Sequence, residues 1–148
     1  ANRRLRQNRL LTVLQYSQDM AQTLNTLNRV MKKDALGVMI VGRESQILGE
    51  SISNSCLLKE LISSHEGFDL QQNCSRNYKN RFGKTIVEDL IFFKKNRDSQ
   101  ELLGSNARSI AINILLEALK RAKQENILLI NDCINKAEFI ESSSIYIN

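Results

Sequence analysis

The sequence predicts an α+β class, with a small antiparallel sheet flanked by helices and a long C-terminal helix. Three observations predict it. A Leu-rich pattern at helical spacing opens the chain. Two short apolar runs, Leu36–Val41 and Gln46–Ile52, flank the polar stretch Gly42-Arg43-Glu44-Ser45 and read as a β-hairpin. From Ser105 onward, apolar residues again recur at helical spacing. With 148 residues and no low-complexity linker, residues 1–148 are expected to form one domain large enough to bury a core.

The first helix is expected over Asn2–Lys33, with Leu10, Leu14, Ala21, Leu24 and Met31 as its stripe and Leu11, Leu27 and Val30 widening it. Ser17, followed by Gln18-Asp19, can cap a new start, so two helices meeting near Tyr16–Gln18 are the alternative. Arg3, Arg4, Arg6 and Arg9 oppose the helix dipole at this end, which leaves a solvated terminus or an acidic partner surface to explain them.

In the hairpin, β-branched Val38, Ile40 and Val41 suit a pleated surface, and Gly42 can take a positive φ in the turn. Val38, Ile40, Ile47 and Ile52 are expected in its buried face. Ser53-Asn54-Ser55 then caps a helix through Leu57, Leu58, Leu61 and Ile62, which Ser63, Ser64 and Gly67 end. Leu70–Arg81 is polar and reads as a short helix or an irregular loop. Gly83–Lys95 suits a strand around Thr85–Val87 or Leu90–Phe93, with helix as the competitor because Glu88-Asp89 falls mid-run.

The C-terminal stripe comprises Ala111, Leu115, Ala118, Leu119 and Ala122, then Ile127, Ile130, Ile134 and Ala137, to about Glu141. The chain has no proline, so one long helix is as compatible with the pattern as two. An apolar face from Ile110 to Ile140 exceeds what one small sheet covers, and a homodimer through this helix is the expectation. The tail, Ser142–Asn148, reads as frayed or as a short edge strand.

Composition narrows the function classes. Net charge +5 is compatible with an anionic partner without requiring one. Cys56, Cys74 and Cys133 are odd in number and widely spaced, so reduced thiols are expected and neither a zinc site nor a disulfide framework is readable. No apolar run approaches the roughly 18 residues of a membrane span, and the basic N-terminus lacks the apolar stretch of a signal peptide. A cytoplasmic protein without membrane contact, metal or cofactor is expected.

No catalytic constellation emerges, and the chain is read as a non-enzyme. His65, the one histidine, has no partner that the sequence names and reads as a solvated residue at a helix end. Glu88-Asp89 diverge on a strand and lack a third acid for a metal. Gly83-Lys84-Thr85 lacks the upstream glycine of a phosphate loop. Arg76, Lys79, Arg81, Lys94, Lys95 and Arg97 are interleaved with Tyr78, Phe82, Phe92 and Phe93, as phosphate contacts with base stacking would require. A solvated basic face is preferred there to an anion or nucleic-acid surface.

Helix, hairpin, helix is the opening of GAF, PAS-like and roadblock/longin-type domains. Residues 5–82 resemble the N-terminal half of the GAF sensor domain of CodY-type global regulators of low-GC Gram-positive bacteria. The likeness is carried by Leu14-Gln15, by Asp19-Met20-Ala21-Gln22-Thr23-Leu24 and by Leu48-Gly49-Glu50-Ser51-Ile52, with Leu58, Leu61, Ile62 and Phe68 after them. The resemblance implies an apolar amino-acid pocket walled by Leu58, Leu61 and Phe68. Leu57 stands where that family has its carboxylate-holding arginine. The expected function is a dimerising regulatory domain that senses a small-molecule effector. A roadblock/longin-like scaffold without ligand, or a nucleic-acid-binding protein using residues 76–97, is the alternative.

Overall fold

The computed structural model describes the backbone of residues 3–143 and the side chains of residues 9–143. The class is α+β: helices flank antiparallel sheets of three and two strands. Helix α1 runs unbroken over Arg3–Val30. Ser17 does not cap a second helix, because its hydroxyl is buried and donates to the Ala107 oxygen at 2.7 Å. Leu10, Val13, Leu14, Ala21 and Leu24 face the core. Arg9 is exposed, and the side chains of Arg3, Arg4 and Arg6 lie outside the described residues.

The expected hairpin is corrected. Strand β1, Leu36–Gly42, pairs with β5, Thr85–Lys95, which pairs in turn with β4, Phe68–Lys79, in the order β1-β5-β4. The hairpin lies later, between β2, Glu44–Ile47, and β3, Glu50–Ser53. Its two-residue turn uses Leu48 at φ 57 and Gly49 at φ 81, whose twist matches the flanking strands. Gly42 has no positive φ.

The inward face of β1 is set by Gly37, not by Val38 and Ile40. A Cβ on Gly37 would stand 2.3 Å from Cζ of Phe93, so only a bare backbone fits under that ring. Strand alternation then turns Val38 and Ile40 outward, 50% and 51% exposed, while Ile52 of β3 is buried. Leu70–Arg81 is largely strand, because ladder bonds to β5 satisfy the backbone whatever the side chains are. In β5 Asp89, Ile91, Phe93 and Lys95 point inward and Glu88, Leu90, Phe92 and Lys94 outward, which removes the helix alternative.

Helix α2, Asn54–Ser64, is capped as its sequence predicts, with Ser53 Oγ accepting from Cys56 N at 3.2 Å. The C-terminal stretch is two helices, α3 (Gly104–Leu119) and α4 (Gln124–Asn135), followed by a 3-10 turn at Ala137–Phe139. No proline divides them. Instead the Glu50 carboxylate accepts from Lys123 N at 2.9 Å and Asn126 Nδ2 at 2.6 Å, fixing a second helix start from β3. Ile110, Ala111, Leu115, Ala118, Ile130, Cys133 and Ala137 are buried within this one chain. That part of the stripe is covered within this chain, with α1 and α2 packed against α3, while Leu119, Ala122, Ile127 and Ile134 are half-buried. Of the tail expected over Ser142–Asn148, the part beyond Ser143 lies outside the described residues.

Candidate functional site

Leu58, Leu61 and Phe68, expected on a pocket wall, are 2%, 0% and 4% exposed and belong to the main apolar cluster. The Phe68 ring meets Phe93 edge-on at 5.0 Å and lies 4.8 Å from the His65 ring. These three side chains fill the core.

An open cleft of about 360 Å³ lies nearby, between α1, β2 and the start of α2. Thr12, Val13, Tyr16, Ser45, Ile47, Asn54 and Leu57 line it. Asn54 Nδ2 is engaged by Ser45 Oγ at 2.7 Å, and Thr12 by the Arg9 oxygen. The Tyr16 hydroxyl has no hydrogen-bond partner among the described residues, and burial pushes its pKa up. These residues come from three separate elements, so no local sequence pattern announces them.

A second feature is the outer face of the three-stranded sheet. Leu36, Val38 and Ile40 stand out from β1, 71%, 50% and 51% exposed, and no helix among the described residues covers them. Val38 lies opposite Phe92, and Ile40 opposite Leu90, which is itself opposite Cys74. An apolar strip therefore crosses all three strands. The signal for it was present: β1 is apolar at every position, which suits a strand with both faces out of water.

The six basic residues proposed for anion contact are not brought together. Lys95 is buried, and its ammonium is held by the Asn28 and Met31 oxygens and by Asp98. Arg76 pairs with Glu88 at 2.7 Å, Lys94 with Asp34 at 3.0 Å, and Arg97 with Glu66 at 3.2 Å. Lys94 holds the Asp34 carboxyl below its ordinary range. Lys79 and Arg81 remain, with no ion pair among the described residues.

His65 is not solvated; it is 1% exposed. Gly67 N donates to its Nδ1 at 3.1 Å, so Nε2 carries the proton and donates to Asn25 Oδ1 at 3.1 Å. Burial pushes its pKa down. Asp89 is likewise structural: the Arg43 guanidinium, 2.8 Å away, and the Ser75 hydroxyl hold it far below the usual carboxylate range. Glu50 is lowered by the Asn126 and Lys123 donors. Cys56 and Cys74 are exposed free thiols, and Cys133 is a buried one with its pKa pushed up to about 11.

Among the described residues no group of three His, Cys, Asp or Glu side chains stands close enough to hold a metal, and no helix is long and apolar enough to cross a membrane. Comparison with protein-family models, curated proteins and solved structures finds no match to this chain.

Proposed function

We propose that the chain is a regulatory scaffold domain that works as a homodimer, with the two copies joined through β1. The observation that carries this is the uncovered, uncharged edge strand bearing Leu36, Val38 and Ile40. The sheet has two edges, and only one is guarded. The β4 edge carries a register break between Leu70 and Asn73 and the charges of Arg76 and Lys79. The β1 edge has no bulge, charge or proline, and such edges pair with other strands.

The bonds Arg43 N to Val87 O and Lys95 N to Ala35 O mark the odd-numbered residues as those facing β5. By alternation, the main-chain groups of Leu36, Val38 and Ile40 point away from it. A second copy supplies the complement. In a two-fold antiparallel pairing centred on Val38, each Leu36 opposes the other copy's Ile40, so every cross-strand pair is apolar. The Gly42 oxygen keeps its donor, Asn54 Nδ2 at 3.2 Å.

Light scattering tests this. The expected result is a dimer at micromolar concentration that Val38→Lys converts to a monomer with an unchanged circular-dichroism spectrum, its melting temperature lower by the loss of the dimer contribution. A monomeric wild type, or a dimer indifferent to Val38→Lys, overturns it.

A ligand-sensing reading is favoured by the cleft beside Tyr16, at the small end of ligand-sized sites. Its test is a thermal-shift screen with amino acids, nucleotides and fatty acids, repeated on Val13→Trp. A ligand-induced rise lost in that variant supports it; no rise with any ligand leaves the scaffold reading alone.

A further inference from the structure

We infer that the tip of the β4–β5 hairpin is a contact for single-stranded nucleic acid, reading a phosphodiester backbone with Lys79, Arg81 and Lys84 and stacking an unpaired base on Phe82. This site is separate from the β1 edge and does not rest on the dimer.

The hairpin leaves the body at a locked base. Arg43 and Ser75 clamp Asp89, and Arg76 pairs with Glu88, so the last acids along the ribbon are neutralised before the tip begins. Beyond them, residues 81–85 are all exposed, and no carboxylate occurs between Arg76 and Thr85. Lys79, Arg81 and Lys84 have no ion pair among the described residues, unlike Arg43, Arg76, Lys94, Lys95 and Arg97.

The tip is also tied by hydrogen bonds of its own. Asn80 N donates to the Lys84 oxygen and Gly83 N to the Asn80 oxygen, both at 2.9 Å. The Asn80 side-chain oxygen accepts from Phe82 N at 2.9 Å and Lys84 N at 3.0 Å. Gly83 takes φ 74, a conformation that favours glycine. Four hydrogen bonds thus fix a loop whose apex residues touch nothing in the core.

What the apex presents selects the partner. Phe82 is 78% exposed, and the Arg81 guanidinium sits 4.6 Å from its ring centroid. An acidic peptide would be served by the cations alone and gives no reason for an exposed aromatic ring held in a hydrogen-bonded loop. A nucleic-acid strand uses both, because its phosphates meet the cations and any base has a face for the ring.

The test is fluorescence anisotropy of the full chain with a labelled oligothymidylate of about 20 nucleotides, longer than the stretch a single-strand site of this size contacts. Micromolar binding is expected, with a log–log salt slope of about −2, as three phosphate contacts on a single strand give. Phe82→Ala should weaken binding about fivefold or more at unchanged salt slope. Arg81→Gln should reduce the slope by about 0.7. Both positions are exposed, so melting temperatures should match wild type. Absence of binding, or binding unaffected by Phe82→Ala, overturns the inference. So does equal affinity for duplex DNA of the same length or for vesicles of phosphatidylglycerol and phosphatidylcholine, which would leave only a nonspecific cationic surface.

Discussion

The Lys95 ammonium lies 2.5 Å from the Asn28 main-chain oxygen and 2.7 Å from that of Met31, at the carbonyl end of α1. A helix C-terminus carries partial negative charge and unsatisfied carbonyls, and a buried cation answers both. The third contact, Asp98 at 2.5 Å, balances the charge. Lys95→Met should therefore lower stability by roughly 2–3 kcal/mol, since it strands those carbonyls in the interior. Urea denaturation measures it. An unchanged midpoint would mean the ammonium is not engaged, and its role as an anion contact would reopen.

Leu61 is fully buried in the main cluster. Leu61→Ala should cost about 2–5 kcal/mol, the range for a large-to-small change in a filled core. A pocket wall would behave differently: apo stability would barely move. The denaturation midpoint of the ligand-free protein separates the two.

Gly37 and Gly42 sit in the same strand and should differ in their response to alanine. Alanine at 37 meets the Phe93 ring, a close approach within the core, and overpacking of this kind costs about 1–3 kcal/mol. A Cβ at Gly42 has nothing within 4 Å. Gly42→Ala should stay within about 0.5 kcal/mol of wild type. If both variants melt alike, the inward direction of Gly37 is wrong, and with it the outward direction of Val38.

Helical periodicity made α1, α2 and the C-terminal stripe legible, and the Ser53 cap was readable from residue type alone. The strand pairing was not, because β1 and β5 meet across more than forty residues and adjacency in sequence favours a nearer partner. Polar residues misled for a shared reason. Ser17 read as a helix cap, His65 as a solvated helix end and Lys95 as part of a solvated basic face, yet each is buried on main-chain or side-chain partners that lie far away in sequence. For the pocket, Leu58 and Leu61 lie three apart on α2 and share a helix face. Whether that face lines space or fills it depends on Phe68 and Phe93, which approach from the sheet.

His65 gives a prediction in pH. Its pKa in the folded protein lies below the ordinary value of 6.5, with burial the leading cause. Between the folded value and 6.5, the unfolded chain binds the extra proton more readily than the native one. Stability contributed by the neutral ring is therefore complete above pH 6.5 and is lost as the pH falls through the folded value. The charges nearest along the chain do not reverse this, since Glu66 is exposed and paired with Arg97 at 3.2 Å. Asp89 does not interfere either, because its depressed pKa confines its own loss to far more acid conditions. The urea midpoint should thus decline from pH 7 to pH 5.5. As the chain has one histidine, its ring-proton NMR signal is unambiguous and should titrate below 6.5. Titration at or above 6.5 would mean the ring is solvated, and the Asn25–His65–Gly67 link would then have to be abandoned.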